Sequence, residues 1–235
     1  MRRRTTATAS VLFVCATTAL TACSNSGSPA ASAKNSPTAS SPSAPAKPKG
    51  PFADRTAGQV FTDAVKANRQ ATSLRLKADI ADATDGPTKL DLTMDIKGDC
   101  TGTIGSGKDA ISLIKTGKTV YLRQANTHTW RKADTTSANG KDLASVCALN
   151  DYLTDPGQDN AATKGATTTV DGRPALVLTE KDGNESYTLD VATTGKPYLL
   201  KMVTVGGDSP GTLAFSDFDK PVHAVAPPKS SITAG

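Results

Sequence analysis

The sequence is poor in the side chains that do chemistry. Only two of its 235 residues are His, His128 and His223, and neither lies in a catalytic or metal-ligand spacing. No H-E-x-x-H occurs. Aromatic residues make up 4% of the chain with a single Trp, Trp130, which argues against a sugar-binding cleft built from stacking rings. Asp151, Asp155 and Asp159 lack the glycine and terminal Glu of a calcium loop and read as a solvated acidic helix end. The one nucleotide-like motif is GTIGSGKD, Gly102 to Asp109, which has the spacing of a phosphate loop. Asp109 stands where a Ser or Thr would hold magnesium, and the following DAISLIKTGKTVYL reads as two strands and a turn rather than a helix. The motif is therefore read as a hairpin turn with Lys108 exposed. These absences point away from an enzyme, a metal and a cofactor.

The N-terminus carries more information. Arg2, Arg3 and Arg4 precede a short apolar segment around Val11–Val14, too short and Thr-rich for a permanent membrane span. It ends in Leu20-Thr21-Ala22-Cys23, which looks like a bacterial lipobox. Residues 1–22 then form a signal peptide, Cys23 becomes the lipidated first residue, and the acyl chains hold the protein on the extracytoplasmic face of the cell membrane. The export route, general or twin-arginine, stays open. The full chain has 27 basic and 22 acidic residues, net +5; losing three Arg with the signal leaves 24 minus 22, or +2. No basic stripe with interleaved aromatics is visible in the sequence, so nucleic acid is not expected as a partner.

Residues 23–53 consist mainly of Ser, Ala, Pro and Lys and read as a disordered tether, with a coil span of roughly 30 Å. The domain itself is placed at 54–228, with a flexible tail at 229–235. Thr56-Ala-Gly-Gln59 reads as a capping box opening a helix that runs to about Ala71. After it the period changes to two. Leu74, Leu76, Ala78 and Ile80 alternate with Arg75, Lys77 and Asp79, and Leu90, Leu92, Met94 and Ile96 alternate with polar residues, with a turn at Asp85-Gly86-Pro87. Further strands are predicted at 100–104, 110–115, 119–124, 129–133, 167–170, 174–180, 186–191, 199–205 and 212–217, with a second helix over 140–153. Such a pattern specifies an α+β fold with a large antiparallel sheet, one face apolar and one wet.

Four Cys are present. Cys15 leaves with the signal and Cys23 takes lipid, so Cys100 and Cys147 remain to pair in an oxidising compartment, with free thiols as the alternative. Closing a loop of roughly 47 residues is worth on the order of 4 kcal/mol in the chain-entropy account.

The succession of lipobox, Ser/Pro tether, VFTDAVKAN, LRLKADI, LDLTMDIKGD, TVYLRQ, TWRKA, VDGRPALVLTEKDG, YTLDVATTGKPYLLKM and FSDFDKPV resembles the actinobacterial LppX/LprG lipoproteins of the LolA/LolB-like superfamily. The resemblance implies a strongly curved antiparallel sheet, a half-barrel, with helices on its concave face and an apolar cavity for acyl chains. Expected cavity-lining residues are Leu74, Leu76, Leu92, Met94, Leu122, Val177, Leu189, Leu200 and Met202; a dry packed core is the alternative for the same residues. Two functions follow: a monomeric carrier that shields lipid or the acyl part of a lipoprotein, or an envelope sensor of RseB type that reads a membrane-protein partner.

Overall fold

The computed structural model describes residues 50–82, 86–153 and 162–233. Cys23, the signal peptide, nearly all of the tether, and Asp85, Asp155 and Asp159 lie outside the described residues. Helix α1 (Ala57–Arg69) begins as the sequence predicts. Thr56 Oγ1 accepts the Gln59 N–H at 3.2 Å, and Gln59 Oε1 accepts the Thr56 N–H at 2.8 Å. Val60, Ala64, Val65, Ala67 and Asn68 are buried along its inner side, the spacing of an amphipathic helix.

The strands follow as β1 (Ser73–Asp82), β2 (Gly86–Asp95), β3 (Cys100–Ile104), β4 (Ile111–Thr116), β5 (Thr119–Gln124) and β6 (Trp130–Asp134). After helix α2 (Ala138–Ser145) come β7 (Thr163–Val170), β8 (Arg173–Asp182), β9 (Glu185–Ala192), β10 (Leu199–Val205), β11 (Gly211–Ser216) and β12 (Ile232–Thr233). They form one open sheet in the order β12-β6-β5-β4-β3-β2-β1-β11-β10-β9-β8-β7. The α+β half-barrel class stands, with one amendment: β12 runs parallel to β6, so the sheet is mixed. Side chains of α1 and of Leu143, Ala144 and Val146 in and just after α2 pack into the same cluster as Leu74, Leu76, Leu92 and Met94. Both helices therefore cover the same, inner face.

Three expectations need correcting. Gly86 and Pro87 belong to β2, opposite Asp82 and Ala81. Proline has no N–H for the ladder, and the Ala81 N–H donates instead to Pro210 on the other side, at 2.8 Å. The second helix is shorter than predicted and is followed by a separate 3-10 turn, Leu149–Tyr152. Its last bonds are short-range, Cys147 N–H to Ala144 O and Ala148 N–H to Ser145 O, as the chain bends in to bring Cys147 to β3. The expected tail is structured through Thr233: Lys229–Ser231 form a 3-10 turn and Ile232 and Thr233 pair with Trp130 and Arg131.

Two contacts fix the cover to the sheet. Cys100 and Cys147 form a disulfide, with Cα atoms 5.7 Å apart and both residues buried. At the other end, Asn68 has no exposed surface, and its carboxamide reads the backbone of Leu199 in both directions. Nδ2 donates to the Leu199 carbonyl and Oδ1 accepts the Leu199 N–H, each at 3.0 Å. The β9–β10 register shifts between Leu199 and Lys201, and the side chain of α1 satisfies backbone groups at that irregularity.

Asn68→Ala leaves a buried N–H and a buried C=O unpaired, so a loss of about 3 kcal/mol is expected from urea unfolding. A midpoint unchanged at constant slope would show that Asn68 does not clamp the helix to the sheet.

Candidate functional site

Cross-strand register sorts the inner side chains into rows. One row reads Met202, Leu213, Ala78, Leu90, Ile104, Ile111, each residue opposite the next on the neighbouring strand. The next reads Phe215, Leu76, Leu92, Gly102, Leu113, Leu122, Arg131. Gly102 has no alternative in its row, because a Cβ there would lie 2.0 Å from the Asp91 carbonyl oxygen.

Seven of the nine predicted lining residues meet on this face: Leu74, Leu76, Leu92, Met94, Leu122, Leu189 and Met202. Val177 does not. Leu176 and Leu178 pair with Val191 and Leu189 in the core, while Val177 faces the other way opposite Asp190. The run Ala175-Leu176-Val177-Leu178 is apolar at every position, so alternation gave no sign of which side faces in. Leu200 is buried, but in a separate cluster with Ala67, Ala71, Ala175, Ala192 and Tyr198, because the bulge turns it away from Leu199.

Leu74, Leu76, Leu92 and Met94 are 0% exposed, so no water-sized space borders them and this part of the interior is packed. The apolar face reaches solvent further along the rows. Ile80, Ile104, Ile111, Leu122, Met202 and Leu213 are only half-buried. At one end Ile111 and Leu122 floor a depression of about 180 Å³ whose rim is Gln124, Thr127, Thr129 and Arg131. Ile104, Ile111 and Arg131 were missed in the sequence because their importance comes from register between strands, which single-strand periodicity does not carry.

Outside this face, Tyr198 and Phe218 stack with centroids 3.8 Å apart, and the Arg173 guanidinium lies 5.7 Å from each ring. They border a pocket of about 460 Å³ with Leu200, Phe215 and Lys220. Beside it, Asp219 accepts from the Thr72 N–H at 2.8 Å, the Tyr198 hydroxyl at 2.7 Å and Lys196 Nζ at 3.1 Å. The Thr72 N–H, then Tyr198 and Lys196, hold the Asp219 carboxyl well below the usual carboxylate range.

Among the described residues no group of three or more His, Cys, Asp or Glu converges as a metal site would require. His128, His223 and Asp151 are exposed. The GTIGSGKD stretch is the end of β3 and the β3–β4 connection, with Gly105 and Gly107 at positive φ and Lys108 exposed.

Among solved structures, the chain is similar to the Mycobacterium tuberculosis lipoprotein LppX, at 13% identity and a TM-score of 0.53, over 72% of this chain and 97% of that one. It is similar to LprF from Mycobacterium bovis at 16% identity and a TM-score of 0.50, over 72% of this chain and 96% of that one. The fold is that of LppX and LprF. No protein-family model matches the chain, and no curated protein matches it in sequence. Almost the whole length of LppX is matched rather than a single shared hairpin. At this identity the likeness to LppX speaks for the fold alone.

The Asp219 network gives a pH test within this LppX-like fold. A carboxylate with a depressed folded pKa stabilises fully above its unfolded value near about 3.9, and that contribution is lost as pH falls through the folded value. Asp219→Asn should therefore flatten the fall in Tm between about pH 5 and pH 2. Parallel Tm profiles for the variant and the parent protein would exclude this role for Asp219.

Proposed function

We propose that the protein is an extracytoplasmic lipoprotein, anchored through Cys23, that binds acyl chains against the inner face of its sheet. The observation that carries this reading is the half-buried aliphatic group Ile104, Ile111 and Leu122, where the inner face meets solvent beside an apolar-floored depression. Aliphatic side chains drawn from neighbouring strands make a directionless apolar surface suited to a hydrocarbon chain rather than to a polar metabolite. The lipobox supports the anchor, and the LppX-like fold supports the placement among envelope lipoproteins. No helix among the described residues is long and apolar enough to cross a membrane, and the proposed anchor needs none.

The depression of about 180 Å³ takes only part of a chain, since ligand sites usually measure about 300–1,000 Å³. Binding on this reading widens it by moving side chains of the inner row. At the far end of that row, Met202 has an unbranched side chain that repacks at low cost.

Organic extraction of the anchor-free protein from its native host, followed by mass spectrometry, should recover acyl lipid. A fluorescent fatty acid should bind the purified domain, and the Ile111→Glu, Leu122→Glu double variant should weaken it at least about tenfold by placing charge on the apolar floor. Bare protein on extraction, together with uptake unaltered by the double variant, would refute acyl binding at this face.

A further inference from the structure

The stretch Lys115–Ala133 contains five cations, Lys115, Lys118, Arg123, Arg131 and Lys132, and no carboxylate, although the whole chain is nearly balanced. Lys115 is engaged by the Gly98 carbonyl. None of the other four forms an ion pair among the described residues. Lys118 shares its field with the flanking Asp134, whose carboxyl is lowered mainly by Thr136 and to a lesser degree by Lys118.

The fold places the remaining three on both sides of one sheet margin. Arg131 is opposite Leu122 on the inner face, at the rim of the apolar depression. Lys132 is opposite Tyr121 on the outer face. Arg123 is also on that face, with its guanidinium 4.9 Å from the ring centre of Trp130, the single Trp of the chain. Ile232 of β12 pairs beside Trp130. The sequence does not show this as a stripe, because the cations alternate between faces and converge only at the β5–β6 margin.

We infer that the β5–β6 margin docks on an anionic membrane surface, with Arg123, Arg131 and Lys132 on lipid headgroups and Trp130 at the interface. This inference rests on the acyl-binding reading, since docking there would turn the open end of the apolar face toward the bilayer. Trp beside Arg and Lys is the combination that settles at a lipid–water boundary. The alternative polyanion, a nucleic acid, is disfavoured because Arg123 covers one face of Trp130, the single Trp, and so occupies a face on which a base would stack.

The test uses residues 47–235, a compact unit that holds every described helix and strand and the disulfide. Vesicles of phosphatidylcholine with about 30% phosphatidylglycerol should bind it, and vesicles of phosphatidylcholine alone should not. Binding should weaken sharply in about 0.5 M salt and should shift Trp130 fluorescence to the blue. Each cation contributes roughly fivefold, so Arg123→Gln, Arg131→Gln, Lys132→Gln together should weaken binding on the order of 100-fold. A control of equal charge loss, Lys66→Gln, Lys77→Gln, Lys181→Gln, should keep most of the affinity. Equal binding to both vesicle types, no binding to either, equal loss in the control, or tighter binding to duplex DNA than to the anionic vesicles would each overturn the inference. Fatty-acid uptake, measured without vesicles, reports on the acyl-binding reading alone, so failure of one is distinguishable from failure of the other.

Discussion

The hydrogen-bonded pair between the Asn68 carboxamide and the Leu199 backbone does what apolar contact cannot, because it fixes orientation. Hydrophobic burial holds α1 against the sheet without specifying its angle. A buried amide that must satisfy two backbone groups tolerates one placement only. The Cys100–Cys147 bond plays the corresponding part for the short α2, which has little apolar surface of its own and buries only Gly140 fully. Cover is thus pinned near β10 by one contact and near β3 by the other. Between and beyond these points, the inner face of a twelve-stranded sheet extends further than two helices reach. The half-buried ends of that row, Met202 and Leu213 on one side and Ile104 and Ile111 on the other, are the physical result.

Much of this was legible in the sequence, for reasons that also mark where legibility stops. In β1 and β2 strict alternation separated Leu74, Leu76, Leu92 and Met94 from Arg75, Lys77, Asp91 and Thr93, as a sheet with one wet face requires. The β3, β5 and β10 boundaries were read correctly because turn residues close both ends. Val177 was assigned to the wrong face because its neighbours are apolar too, and Leu200 because a bulge resets the alternation within a strand. Neither error is one of composition. Both arise from pairing between segments distant in sequence, and the same long-range register hid Ile104, Ile111 and Arg131 as neighbours across strands.

The GTIGSGKD segment shows how one residue type serves different demands a few positions apart. Gly105 and Gly107 supply positive φ for the turn. Gly102 answers a different need, the approach of the Asp91 carbonyl across the β2–β3 pair. A phosphate loop uses its glycines to bring backbone amides to a ligand. Here they bring backbone to backbone, and the chain leaves through one 3-10 turn, Gly107–Asp109, into a strand instead of an α-helix, so no α-helix terminus is available to an anion. The resemblance to a nucleotide site ends at the spacing.

A packed centre and an acyl-binding function are physically compatible. Inserting a hydrocarbon chain beside Met202, Leu213 and Ile104 exchanges aliphatic contacts for aliphatic contacts, so no polar group has to be dehydrated and the opposing term is repacking. Repacking is cheapest where side chains are flexible and their contacts already incomplete, which describes this row better than the fully enclosed Leu74, Leu76 and Leu92. The disulfide and the Asn68 clamp would then keep the cover attached while the space between them widens. The depression floored by Ile111 and Leu122 is where widening can begin without first breaking an enclosed contact, and it lies at the same margin where Arg131 stands without a carboxylate partner among the described residues.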